Sequence, residues 1–172
     1  MKALAAAAVA AMTLVPLATS EAVAAPVAAP NATPASASVA LAAITDGQNY
    51  VLAPQNAPDQ WLGEYAWNHI GTQASRMWYG DSYHNALWTA HTVNGAVELQ
   101  NYGFAGQGLE DDNGAVEANW GHGNTWEWAT VAGPGGTVAL KNRATGRYLA
   151  LAGNAAVMAT TAFYWFVVNA HP

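Results

Sequence analysis

Two stretches of the chain combine aromatic rings with amides and acids, the side-chain types that bind sugars. Residues 119–126 contain two tryptophans, two asparagines and a histidine, and Glu110 precedes them. Residues 67–84 contain two tryptophans, two tyrosines and two histidines. A flat ring packs against the C–H face of a pyranose, while carboxylates and amides bond its hydroxyls. This pattern favours carbohydrate binding at both places.

The other reactive residue types have the wrong spacing for a catalytic or metal site. The five histidines lack the His-Glu-x-x-His spacing, and no Gly-x-Ser-x-Gly occurs. The acidic run ending at Gly114 is better interpreted as a hairpin turn, with Asn113 and Gly114 at positive φ, because Leu109 stands where a calcium loop needs its first ligand. Glu110 and Glu117 suit a glycosidase only at a fixed separation, which the sequence does not set. We expect no catalysis, no metal and no cofactor.

Composition narrows the class of protein further. A chain of 172 residues that is 52% hydrophobic can form one sizeable core. Its net charge of −6 argues against a nucleic-acid partner, and the absence of cysteine excludes disulfides and thiolate zinc sites. Arg143 and Arg147 flank a Thr-Gly turn. That pair suits a sulfate or phosphate, although ordinary turn solvation is the commoner role.

The N-terminal 43 residues have the composition of processing and linker segments. Residues 1–24 read as a secretory signal peptide, with Lys2, an apolar run and a small-residue cleavage site at 22–24. The apolar run is too short for a membrane span. Residues 25–43 form an Ala/Pro-rich stretch, which predicts a disordered linker. We therefore expect a secreted, extracellular protein whose folded domain is residues 44–172.

The sequence after residue 44 predicts an all-β domain built from repeats. Short runs rich in Val, Leu, Tyr, Trp and Thr are separated by Gly, Asn and Asp. Residues 97–101 match residues 138–142 at an offset of 41. The units lie at approximately residues 44–93, 94–134 and 135–172. Near the end of each unit a tryptophan begins a short final strand, and we predict that these three residues are core: Trp88, Trp128 and Trp165. Four short strands per unit give twelve, enough to close a barrel.

Three segments of this domain resemble a known superfamily. Residues 142–150, Asn-Arg-Ala-Thr-Gly-Arg-Tyr-Leu-Ala, resemble a segment shared by ricin B-type lectin domains and fascin-like domains of the β-trefoil superfamily. The Gly-x-Val-x-Leu runs at 95–99 and 136–140 resemble its strand openers. The resemblance covers about residues 44–172 and implies a β-trefoil of three four-stranded units. It says little about function, because one fold hosts many activities.

The ricin-type resemblance also implies candidate sugar ligands. A competent unit of that family has an acid just after its first Leu, an aromatic platform, and an Asn near a Gln-x-Trp ending. Unit 1 offers Glu64, one place later than the pattern, with Trp78 and Asn85. In unit 3 Ala150 replaces the acid, so that unit is predicted not to bind. The Gln of the ending is missing from all three units. Unit 2 offers the acid, the platform and two amides: Glu110, Trp120, Asn119 and Asn124.

These observations predict a carbohydrate-binding module whose partner is a glycan or a cell-surface polysaccharide. The sites would lie in the expanded loops of units 1 and 2. Two alternatives remain open at this point. One is a secreted protein-binding trefoil, such as a protease inhibitor that presents the loop at residues 73–77. The other is a structural or adhesive fascin-like domain without a small ligand.

Overall fold

The computed structural model describes residues 44–66, 69–75 and 80–172. The predicted signal peptide, the predicted linker and Trp78 lie outside these described residues. No helix among the described residues is long and apolar enough to cross a membrane. Apart from 3-10 turns at Gly80–Ala86 and Pro134–Gly136, the elements are strands: β1 (Asn49–Pro54), β2 (Gln60–Ala66), β3 (His69–Ala74), β4 (Trp88–Val93), β5 (Ala96–Asn101), β6 (Gln107–Asp112), β7 (Ala115–Trp120), β8 (Trp128–Ala132), β9 (Val138–Asn142), β10 (Tyr148–Ala152), β11 (Ala155–Ala159) and β12 (Trp165–Ala170).

The described strands form one antiparallel sheet that closes on itself. Nine of them follow the order β10-β9-β12-β1-β4-β5-β6-β7-β11, and β11 pairs back with β10. β2 and β3 extend from β11, and β8 bridges β5 and β9. Closure pairs strand edges that would otherwise be exposed to other chains. The all-β prediction is confirmed.

The strand pairings recur three times along the chain. β2 pairs with β3, β6 with β7, and β10 with β11, each as a hairpin. The fourth strand of each set pairs with the first strand of the next, as β4 with β5, β8 with β9, and β12 with β1. We call β1–β4 unit 1, β5–β8 unit 2 and β9–β12 unit 3. Corresponding residues can therefore be compared between units.

The three closing tryptophans occupy the centre of the core, as predicted. Trp88, Trp128 and Trp165 are fully buried. Each indole Nε1 donates to the carbonyl of a buried leucine in its own unit, at 3.0, 2.9 and 3.1 Å. The accepting leucines are Leu62, Leu109 and Leu149. Each hydrogen bond offsets the cost of removing the indole N–H from water, so the ring can be buried completely.

Tight turns with positive φ join the hairpin strands. Asn113 has φ 51° and Gly114 has φ 111°, which confirms the predicted Asn-Gly turn between β6 and β7. The same chemistry recurs between β4 and β5, where Asn94 has φ 51° and Gly95 has φ 78°. Both turns set the register of the strands that follow them.

Two buried carboxylates connect neighbouring units. Glu64 of β2 accepts two hydrogen bonds from the amide of Gln107, at 2.8 and 2.9 Å, in the amide orientation that satisfies both groups. Asp111 of β6 accepts from Arg147 at 2.9 and 3.1 Å. Glu64 and Asp111 are both fully buried. Each lies two residues after the leucine that accepts a tryptophan N–H, so the two contacts are equivalent clasps between consecutive units.

Candidate functional site

The hairpin of β6 and β7 carries a polar cluster. Glu110 lies directly opposite Glu117 in the strand register. The amide nitrogen of Asn119 donates to Glu110 Oε1 at 2.8 Å and to Glu117 Oε2 at 3.3 Å. All three side chains are partly exposed. The structure thus brings together two of the predicted sugar ligands, Glu110 and Asn119, and adds Glu117.

A loop residue fixes the orientation of Glu110. Trp126 Nε1 donates to Glu110 Oε2 at 2.9 Å, and Thr125 Oγ1 donates to the same oxygen at 3.3 Å. The carboxylate is therefore held by donors from β7 and from the loop before β8. Oε1 receives only the Asn119 amide among the described contacts, so this oxygen keeps a lone pair for a further donor. Such a fixed acceptor suits a sugar hydroxyl.

Trp126 is part of the scaffold. It belongs to the stretch at residues 119–126 whose residue types favour carbohydrate binding, but its side chain is only 2% exposed and cannot serve as a platform for a sugar. Its ring lies on Gly108 of β6, where an added Cβ would come within 2.0 Å of Cζ3. The physical reason is a missing side chain: glycine in the strand leaves a space that the loop aromatic fills.

Trp120 is the exposed aromatic of this hairpin, at 61% of its possible surface. It is the last residue of β7, directly after Asn119, and it pairs with Gln107 of β6. Its Cδ1 lies 3.3 Å from where a Cβ would stand on Gly106. Since successive strand residues point to opposite faces, Trp120 and Asn119 leave β7 on different sides of its end. Trp120 matches the predicted platform in exposure and stands at the end of the strand that carries Glu117 and Asn119.

The loop after β7 continues the same surface. Asn124, the second predicted amide, is exposed. His122 Nδ1 lies 3.2 Å from Oε2 of Glu98, and the His122 ring is 5.4 Å from that of Trp126. Glu98 is 4% exposed, whereas the His122 side chain is 73% exposed. The exposed histidine is therefore anchored to the buried strand β5 by one carboxylate.

Unit 1 does not reproduce the cluster. Counting from Leu62, the position equivalent to Glu110 is Gly63, whereas Glu64 corresponds to Asp111. Glu64 is fully buried against Gln107, as described above, and has no surface to offer a ligand. Asn85, partly exposed, uses its backbone carbonyl to accept from the side chain of Asn101 at 2.8 Å. Trp78, the predicted platform of unit 1, lies outside the described residues.

The strand register lets the three hairpins be compared position by position. The places of Glu110, Glu117 and Asn119 are taken in unit 1 by two glycines and a glutamine, and in unit 3 by alanine and valine. Among the described residues, unit 2 alone has carboxylates and an amide there. The residues at these places are Gly63, Gly71 and Gln73 in unit 1, and Ala150, Val157 and Ala159 in unit 3.

The basic residues near the predicted Thr-Gly turn are occupied by internal ion pairs. Arg143 donates to Glu127 at 2.7 Å, and Arg147 is clasped to Asp111. Thr145 Oγ1 also donates to Asp111. These contacts join unit 2 to unit 3 and use the guanidinium groups of both arginines. The turn therefore fits a structural role better than sulfate binding.

An apolar concave surface lies where units 1 and 3 meet. Its volume is about 370 Å³, and it lies between the β1–β12 pair and the ring of Trp61. The rings of Trp61 and Tyr83 are 6.0 Å apart and tilted by 58°. Val168, which is 54% exposed, and Asn169 line the other wall. Among its described lining residues Asn169 and Tyr83 supply the polar side chains, so this cleft offers little to orient a sugar.

Two features of the site have no distinct signal in the sequence. Glu117 was visible only as a possible partner of Glu110, since the pairing depends on the hairpin register. The contact of Trp126 with Gly108 joins residues 18 positions apart. A glycine inside a strand pattern does indicate a close approach of other atoms, although it does not identify them.

Comparison with known proteins gives the fold. No protein-family model and no curated protein sequence matches the chain. Among solved structures, a GlcNAcα1-4Gal-releasing endo-β-galactosidase from Clostridium perfringens matches with a TM-score of 0.62 at 16% identity, over 72% of this chain and 33% of that one. An arabinofuranosidase complexed with arabinofuranosyl-α-1,2-xylobiose matches with a TM-score of 0.61 at 14% identity, over 69% and 27%.

A toxin shares the fold over most of its own length. The cytolethal distending toxin from Actinobacillus actinomycetemcomitans matches with a TM-score of 0.61 at 13% identity, over 70% of this chain and 90% of that one. By contrast, the chain spans a third or less of the galactosidase and the arabinofuranosidase. At these identities the likeness concerns the fold alone.

Proposed function

We propose that this protein is a non-catalytic carbohydrate-binding module with a β-trefoil fold, and that its glycan site lies on the β6–β7 hairpin of unit 2. The trefoil assignment rests on three sets of four strands, a closed ring, and an indole-to-leucine bond repeated in each set. Structural neighbours that act on or contain sugars support a glycan partner at this coarse level.

The observation that carries the proposal is the combination found on one hairpin. Glu110 supplies an acceptor held by several donors, and Asn119 supplies an amide bonded to it at 2.8 Å. Trp120 supplies an exposed ring at the end of the same strand. Fixed acceptors and a flat apolar face are what a pyranose requires, and preorganisation lowers the entropy lost on binding. Glu64 and Asn85 are left out of the proposed site.

A binding role fits the carboxylates better than hydrolysis. A glycosidase needs its two carboxyl groups on either side of the scissile bond. Here one amide nitrogen, that of Asn119, contacts both Glu110 and Glu117. It therefore fills the space between them in which a glycosidic bond would have to lie.

Action outside the cell is also part of the proposal. It rests on the secretory pattern of residues 1–24. Glycans of cell surfaces and secreted polysaccharides would be the accessible partners.

The test is a glycan array probed with the protein and with Trp120→Ala. Tyr102→Ala provides a matched control, because Tyr102 is an aromatic that is 41% exposed and lies outside the cluster. Binding by the wild type and Tyr102→Ala, with loss in Trp120→Ala at unchanged circular dichroism, is the expected result. An array without any bound glycan would refute the proposal and favour a protein partner instead.

A further inference from the structure

We infer that the unit 2 site takes uncharged glycans and rejects acidic ones, such as those carrying sialic or uronic acids. The inference rests on the proposed glycan site and concerns its selectivity. It follows from the negative charges beside the Asn119 amide and from the contacts that the described Lys and Arg side chains make elsewhere in the protein.

Two carboxylates face each other at the site. Glu110 and Glu117 are directly opposed residues of β6 and β7, whose Cβ atoms in such a pair lie roughly 5 Å apart. Within the described contacts the single amide of Asn119 is what bridges them. An amide donates hydrogen bonds but brings no positive charge, so the negative charges stay uncompensated. A ligand carboxylate seated here would meet two like charges at short range.

The fold does not require this arrangement. At the equivalent positions unit 1 has Gly63 and Gly71, and unit 3 has Ala150 and Val157. Like charges directly opposite each other destabilise a sheet. Unit 2 therefore carries an unfavourable pair that its two sister hairpins avoid, which points to a role in ligand choice.

The three described Lys and Arg side chains each contact another group of the protein, and none of them is described in contact with Glu110, Glu117 or Asn119. The chain has five Lys and Arg residues, of which the structure describes three. Arg143 pairs with Glu127, and Arg147 pairs with Asp111. The ammonium group of Lys141 lies over the Tyr148 ring, 5.5 Å from its centroid. Recognition of carboxylate or sulfate groups by proteins normally uses such cations.

The selectivity should be measurable as the ratio of the affinity for a neutral glycan to the affinity for its acidic counterpart. Two carboxylates near the protein surface should together weaken the binding of an acidic ligand about tenfold, which corresponds to about 1.4 kcal/mol. Salt should shrink the ratio, since the screening length falls to about 3 Å at 1 M ionic strength.

The experiment compares glycans that differ by one carboxylate. The probes are galacto-oligosaccharides with and without a sialic acid, and xylo-oligosaccharides with and without a glucuronic acid branch, titrated at low and high salt. Glu117→Gln keeps the size and the acceptor oxygen of the side chain. It should raise the affinity for each acidic probe, relative to its neutral partner, about threefold or more. Asp112→Asn is the control, because it also removes one negative charge but does so at the turn end of the hairpin. It should leave the ratio of neutral-probe to acidic-probe affinity nearly unchanged.

The possible results separate the two proposals. Neutral probes that bind more tightly than their acidic partners, with the gap reduced by Glu117→Gln, support the inference. Equal binding of both members of each pair, or a gap that Glu117→Gln does not change, overturns the selectivity and leaves the glycan site standing. Failure of every probe, neutral and acidic, overturns the glycan site itself and the selectivity with it.

Discussion

Replacing Gly108 by alanine should disrupt the packing that supports the proposed glycan site. A Cβ at this position would lie 2.0, 2.1 and 2.8 Å from three atoms of the Trp126 ring. Both residues are buried, and the ring cannot move away without losing its 2.9 Å bond to Glu110. Overpacking costs about 1–3 kcal/mol, and a hydrogen bond to a charged group contributes about 1.5–3 kcal/mol. We expect Gly108→Ala to lower the free energy of unfolding by about 3 kcal/mol.

Gly121→Ala is the matched control, because this glycine faces the same ring. Its Cβ would lie 3.7 Å from Trp126 Cζ2, an ordinary contact distance, and neither glycine has a positive φ. The control should change the unfolding free energy by less than about 1 kcal/mol. Urea unfolding followed by tryptophan emission measures both variants. Equal stability of the two alanine variants would refute the seating of Trp126 on Gly108.

Three further predictions follow from the contacts. Trp120→Ala should change stability by less than about 1 kcal/mol while weakening glycan binding about tenfold or more, as measured by urea unfolding and calorimetric titration; a large loss of stability would contradict its exposed position. Arg147→Ala should destabilise by about 2–3 kcal/mol in thermal unfolding, more than Arg143→Ala, because its partner is fully buried; the reverse order would contradict the clasp. Glu64→Ala should destabilise by about 3 kcal/mol but leave the glycan affinity of the folded protein unchanged, and a specific loss of affinity would place Glu64 in the site.

The framework of the fold was predictable because its signal is periodic. Trp88, Trp128 and Trp165 recur at unit spacing, and each is fully buried with the same bond to a leucine carbonyl. The Asn113-Gly114 turn was equally readable, since positive φ at two successive residues restricts the residue types. Both features can be predicted from the sequence, the turn from its residue types and the buried tryptophans from their repeated spacing.

The details of the site were less predictable because they depend on register. Glu110 follows its leucine by one place and Glu64 follows its leucine by two, and a shift of one residue places a strand side chain on the other face of a sheet. Glu110 therefore meets Asn119 at the surface, whereas Glu64 is buried against Gln107. The burial of Trp126 was not predictable for a related reason, because its partner Gly108 comes from another strand.

The most direct test of the glycan site is a nuclear magnetic resonance titration that follows the indole N–H signals of the eight tryptophans. A neutral oligosaccharide selected from the array would be added to the labelled protein. We predict that the signal of the exposed Trp120 shifts most. The signal of the buried Trp126 should shift less, because this ring would sense the ligand through its hydrogen bond to Glu110. The core signals of Trp88 and Trp165 should stay in place. Shifts centred on Trp61 with Trp120 unmoved, or no shifts at all, would contradict a site on the β6–β7 hairpin.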